Sequence, residues 1–245
     1  MKPQYFNNFE SPRSKVERAK RKSTELKNII GEYLARKPHR VGTKLNQIGH
    51  FYEFGVQRTI PIPDELIETL NDVVHVLRGA LDNLAVDLVL YEGGSTKNLS
   101  YPIADTEIRF NKILNTGKIN QVSRSAIDEL RKFETYQGGK GEIIHAIHHL
   151  DIGDKHYWDA KIWTKIHIAD LHLVYPDGHF NRIKSVNIVL DEKTNVISEI
   201  PILTNFKRNK AFVTGIHLDE GGGFRTVPLA ENIDCLLYTS PSPRD

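Results

Sequence analysis

The first 160 residues carry apolar side chains at helical spacing, and the last third carries them at every second position. Ser11 and Pro12 form a helix-start signal: a capping hydroxyl, then proline in the first turn. Behind them Val16, Ala19, Leu26, Ile30 and Tyr33 share one face, with Ser23 filling the gap in the pattern. This predicts an amphipathic helix over about 11–36, ended before Pro38. β-branched and aromatic residues around Gly49 predict a short hairpin over 41–60. Past Pro61 and Pro63, Asp64 can cap a second helix. Ile67, Leu70, Val73, Val74, Leu77, Leu81, Leu84 and Leu88 give that helix a broad apolar stripe, and Gly93 and Gly94 stop it.

The middle of the chain is more broken. YPIAD, 101–105, reads as an extended link, and 111–115 as one or two helical turns. Ser123 reads as the hydroxyl cap of a helix holding Ala126, Ile127 and Leu130. QGGKG, 137–141, interrupts the chain again. A helix over 142–150 turns Ile143, Ile144, Ile147 and Leu150 inward. Residues 151–154 are expected to turn, with Asp154 opening a new helix through Trp158 to Ile162.

From about Leu171 the period is two. LHLVY, the turn PDGH and RIKSVNIVL predict a hairpin. ISEIPIL and AFVTGIHL read as further strands, GGG at 221–223 as a turn and FRTVPL as a last strand. Helices first and strands second predict an α+β fold. The expected architecture is an N-terminal helical bundle of four to five helices with a short hairpin, then a C-terminal antiparallel sheet. The expected domains are 11–168, helical and including the hairpin, and 169–234, β-rich and packed on it.

The chain has 245 residues, 39% apolar and 26% charged, the balance of an ordinary globular protein. It contains no run of 18 apolar residues and no apolar segment near its N-terminus, so the expectation is a cytoplasmic protein without membrane partners. Charge is unevenly spread. Residues 1–44 hold twelve Lys and Arg against four Glu, while the rest holds 21 against 27 acids. A basic helix on an acidic body is either a solvated face or a contact for an anionic polymer such as RNA. Residues 235–245, CLLYTSPSPRD, resemble a transposase-end sequencing adapter translated in frame. On that reading the segment is an artefact, Cys235 belongs to it, and the natural chain is expected to continue past Asp234 with its sheet cut short.

The densest chemistry lies in HAIHHLDIGDKH, 145–156. His145, His148 and His149 sit at i, i+3 and i+4 and share part of a helix surface. His145, His149 and His156 with Asp151 make a ligand mix that suits zinc or iron, so a divalent metal is the one cofactor expected. The competing reading is a polar joint between helices. Arg78 and Asp82, four apart, can pair, and with Asp151, Asp154 and His156 they can form one network inside the helical core. QGGKG can turn backbone N–H groups toward a phosphate, with Lys140 beside them. There is no GxSxG and no thiol outside the adapter-like tail, so no nucleophile–base pair stands out.

Four segments carry a resemblance. LRGALDNLA at 77–85, YPI at 101–103, ETYQGGKG at 134–141 and HHLDIGDKHY at 148–157 resemble, in order and spacing, the LRSALDHLA, FPI, glutamine-Pro-Tyr and LxxLDxxDKHR segments of a widespread bacterial family of uncharacterised proteins. The likeness runs over about 15–160 and implies a helical front half and a β-rich back half. The first segment also resembles the Arg-to-His helix motif of HEPN-class nucleases and nucleotide-binding domains. Here it spans Arg78 to Asn83, and Asn83 stands where that class has its histidine. Asparagine exchanges no proton near neutral pH, so this resemblance implies an RNA-associated protein that is non-catalytic or weakly active, with RNA meeting the basic N-terminal helix. A homodimer is compatible with it. Candidate catalytic residues are Arg78, Asp82, Asn83, Asp154 and His156. Three functions therefore stand side by side: an RNA-associated protein, a metal-dependent hydrolase, and an interaction protein built around a buried polar network.

Overall fold

A computed structural model describes residues 9–46, 51–155, 162–174, 177–190, 195–201 and 205–218. Their order is helices first and strands second, with a hairpin between the first two helices, which is the α+β layout expected. The described residues fall into two compact units. One holds 9–27 and 65–155; the other holds the rest of the first helix, the hairpin and the strands from 162 to 218.

The helical unit is organised by α1 (Glu10–Ala35) and α2 (Asp64–Tyr91). Ala19, Ser23 and Leu26 of α1 are buried at the spacing the sequence predicts. The helix starts one residue early, after Phe9 in a left-handed conformation (φ 59°). Ser11 is therefore inside the first turn, and its hydroxyl accepts a hydrogen bond from Asn83 Nδ2 at 2.6 Å instead of capping. Arg13, Arg18 and Arg21 remain exposed, while Lys22 pairs with Glu25 and with Asp72 of α2. Helix α2 ends as the glycine pair dictates. Gly93 adopts φ 75°, its N–H bonds Leu90 O, and Gly94 N–H bonds Val89 O, the paired pattern that closes a helix at a left-handed glycine.

Against α2 lies a compact apolar cluster. Leu81, Ala85 and Val89 of α2 meet Tyr101 and Ile103 of the extended link. They also meet Phe110 and Leu114 of α3 (Glu107–Thr116), Ile119 of a short 3₁₀ turn, Ile127 and Leu130 of α4 (Arg124–Lys132), and Ile144. Burial of each large side chain contributes roughly 1.5–3 kcal/mol. Helix α3 is longer than its sequence signal. Thr106 caps it through Arg109 N–H, but only Phe110 and Leu114 are buried and Ile108 is 84% exposed, so the apolar period is faint. Ser123 precedes α4 without a side-chain capping bond; its hydroxyl lies 3.2 Å from Ser125 Oγ.

The largest departure concerns α5, which runs unbroken over Glu142–Lys155. Residues 151–154 are helical, so the expected turn and the helix start at Asp154 are both corrected. The reason is tertiary. Asp151 is buried and its Oδ1 lies 2.9 Å from His75 Nδ1 of α2, which holds the helix in place across a Gly153 that a helix tolerates at modest cost. Residues 156–161, where the next helix was expected to continue, lie outside the described residues.

The strand unit contains two three-stranded antiparallel sheets. β1 (His39–Asn46) and β2 (Phe51–Arg58) form the expected hairpin, its turn outside the described residues, and β5 (Asn195–Pro201) adds to the free edge of β2. That pairing ties the early hairpin to the late strands. β3 (Ile162–Val174) is the centre of the second sheet, between β4 (Phe180–Leu190) and β6 (Asn205–Leu218). It starts about nine residues before the expected change of period, where a helix was read through Ile162. In the described part of its connection to β4, residues 177–179, Gly178 takes φ 83° and Asp177 Oδ1 accepts His179 N–H at 2.9 Å. GGG and FRTVPL lie outside the described residues. Among the described residues no helix is long and apolar enough to cross a membrane.

Candidate metal centre

Two segments of the helical unit deliver the site. The first is the link 101–105. Asp82 Oδ1 of α2 accepts Tyr101 N–H at 2.9 Å, Thr135 Oγ1 donates to Pro102 O at 2.5 Å, and Ala104 N–H bonds Thr135 O at 3.1 Å. Asp105 follows immediately and Thr106 caps α3, so the aspartate sits between a pinned strand and a fixed helix start. The second segment is α5. Its entry passes close to the same 133–135 backbone: a Cβ on Gly139 would meet Glu134 O at 2.2 Å and one on Gly141 would meet Phe133 O at 2.4 Å. Glycine at both positions permits that approach. Both segments are thus anchored to one stretch of chain.

His145 and His149, one turn apart on α5, meet Asp105. His145 Nε2 lies 3.0 Å from His149 Nε2, and each lies 3.3 Å from Asp105 Oδ1. These three atoms form the one group of three or more potential metal ligands found among the described residues. The edges match a divalent ion bound at about 2.0–2.2 Å, which sets ligand atoms roughly 3–3.5 Å apart. Hydrogen bonds serve the triangle poorly. Each neutral imidazole carries one ring proton, so three mutual contacts cannot all be donor–acceptor pairs; one cation between them satisfies all three atoms. His145 is buried, whereas the side chains of His149 and Asp105 are 45% and 55% exposed, which leaves one side open to solvent. Asp105 Oδ2 accepts from Arg109 Nη1 at 3.2 Å, an outer contact that orients the carboxylate. Hydrogen bonding from His145, and secondarily from His149, holds the Asp105 carboxyl below its ordinary range.

The third histidine of the run is used differently. His148 Nδ1 accepts from Arg78 Nε at 3.1 Å, and Arg78 Nη1 donates to Asp82 Oδ1 at 2.6 Å. Burial, reinforced by the Arg78 charge, lowers the His148 pKa to about 4, so the ring is neutral and free to accept.

The nominated residues therefore divide. His145 and His149 converge, but their carboxylate partner is Asp105, forty residues upstream of His145, and not Asp151, which faces His75. Arg78 and Asp82 pair as expected, while Asn83 is bonded to Ser11. His156 and the side chain of Asp154 lie outside the described residues. Lys140 is engaged by Glu134: its Nζ lies 2.9 Å from Oε1 and its N–H bonds Oε2, while Gly141 N–H bonds Glu134 O. The N–H groups of Gly139, Lys140 and Gly141 are thus taken up by neighbouring residues of the same chain segment. Asp105 was missed because its only sequence signal was the YPIAD segment, and nothing local links that segment to a histidine helix. Compared with family models, curated proteins and solved structures, the chain matches none of them.

Proposed function

We propose that the protein is a metal-dependent hydrolase whose metal is held by Asp105, His145 and His149. The observation that carries this reading is the triangle of ligand atoms, with edges of 3.0, 3.3 and 3.3 Å and an exposed side. Two imidazoles and one carboxylate are a borderline-hard donor set, suited to zinc and neighbouring divalent ions. Three protein ligands leave a further coordination position, as in catalytic sites and unlike closed structural ones. A cation there supplies Lewis acidity toward a carbonyl or phosphoryl oxygen. The chain's own part is to hold three donors at fixed separation, with Arg109 steadying the carboxylate and the buried flank at His145 limiting water on one side.

The RNA-associated reading has less to support it, because Arg78 is buried and paired with Asp82 and His148 while Asn83 is bonded to Ser11. The exposed arginines of α1 are what it retains.

Metal analysis of the purified chain tests the proposal. One equivalent of zinc, cobalt or manganese bound by wild type, lost in His149→Ala and Asp105→Asn, is the expected result. Metal-dependent turnover of an activated ester or phosphoester should disappear in the same variants. Wild type that takes up no stoichiometric metal overturns the reading.

A further inference from the structure

We propose that Arg78, which touches none of the three ligands, is a positioning residue that sets the distance between the two segments carrying them. This rests on the metal reading above. One guanidinium makes both connections. Its Nε holds His148 of α5 at 3.1 Å, the residue beside ligand His149. Its Nη1 holds Asp82 at 2.6 Å, and the same Asp82 oxygen accepts Tyr101 N–H at 2.9 Å, at the head of the link that ends in ligand Asp105. Helix α2 is thereby a ruler between α5 and the link, and Arg78 is its fixed mark. The Arg78 side chain is 8% exposed, so its end of each bond is held away from bulk water, while Asp82 is 37% exposed.

The chemistry explains why arginine serves here. A guanidinium is a rigid planar fork with donors at set angles, so gripping two partners at once fixes their mutual placement. A lysine ammonium keeps the charge but ends in a single atom on a flexible stem, and it cannot reproduce that geometry. A second tie between α2 and α5, His75 with Asp151, lies nearly one turn away and involves no part of the link. It ties the two helices directly.

The test is cobalt titration of the full chain, followed by calorimetry and by the visible d–d spectrum, which reports ligand geometry. The variants are Arg78→Lys, Asp82→Asn and a packing control, Val89→Ala, which removes a buried side chain from the apolar cluster that packs the link but takes no part in the hydrogen bonds through Arg78. Outer groups that orient metal ligands typically change affinity by 10–100-fold. Arg78→Lys should therefore weaken cobalt binding about tenfold or more and shift the cobalt spectrum. Val89→Ala, with a comparable loss of melting temperature, should stay within about twofold of wild type. If Arg78→Lys does not fold, Asp82→Asn carries the same expectation, because it keeps the shape but weakens the grip on both Arg78 and Tyr101. Wild-type affinity and spectrum in whichever of these variants folds, or equal weakening in Val89→Ala, overturns the proposal and leaves the metal reading standing. Failure of wild type itself to bind cobalt overturns both.

Discussion

Arg78, Asp82 and His148 form one polar cluster of the helical unit, and Asp105, His145 and His149 form another. They share helix α5 and adjoin through consecutive histidines, whose rings lie 5.8 Å apart. In the first cluster a buried cation meets an anion and a neutral acceptor, and every contact is a donor facing an acceptor. In the second, three potential acceptors face one another beside solvent. The difference teaches how to separate a structural network from a site. A saturated cluster resists change and contributes order; one whose atoms converge without enough protons between them is arranged for something else. Tyr101, which burial holds in its neutral phenol form, marks the dry side of the first cluster.

The comparison can be broken most forcefully at Asp82. Asp82→Ala leaves the buried Arg78 charge without its anion, and the expected loss is about 3 kcal/mol of unfolding free energy, read by urea denaturation. Arg78→Met, which fills similar volume with no charge, should cost less. An equal or larger loss would show that the pair contributes mainly attraction and not the avoidance of a stranded charge. The open cluster should behave in the opposite sense. Zinc at about a hundred times its dissociation constant should add about 2.7 kcal/mol to wild type, seen as a higher melting temperature. His149→Ala should lose that increment, yet differ from metal-free wild type by only about 0.5 kcal/mol.

Smaller effects sharpen the picture. Thr135→Val deletes the hydroxyl donor to Pro102 O in a fully buried position, and about 1–2 kcal/mol should be lost with near-wild-type packing. His39, in the strand unit, offers a third kind of setting: neither ring nitrogen has a hydrogen-bond partner among the described residues. Burial, aided by the Arg58 charge, lowers its pKa from 6.5 to about 4. The unfolded chain therefore protonates this ring first as pH falls. The stability due to its neutral form is complete above about pH 6.5 and is lost progressively down to about pH 4. Melting wild type beside His39→Leu across that window isolates this one group. The wild type should lose on the order of 1 kcal/mol more than the variant, the full shift being discounted for the ring's partial exposure. A constant difference between the two would remove His39 as the cause.

Much of this molecule follows from local pattern. Leu70, Val73, Val74, Leu77 and Leu81 of the predicted stripe are buried, while Ile67, Leu84 and Leu88 at its margins are only partly so, and Gly93 and Gly94 end the helix because a left-handed residue must follow. Alternation and PDGH make the β3–β4 hairpin, since strand period and turn chemistry are both local. Histidines at 145 and 149 share a helix face for the same reason.

Tertiary structure alone decided the rest. Residues 151–154 looked like a joint because aspartate and glycine favour turns in isolation; a bond from Asp151 to His75, 76 positions away in the chain, outweighs that preference. The edge of β2 acquires β5 from the far end of the chain, a pairing no alternation foretells. Above all, sequence determined which residue types could bind a metal, but not that Asp105 would complete the pair on α5. That choice depends on where Asp82 and Thr135 fasten the link, because the separation of ligand atoms is a long-range distance and composition specifies no distances.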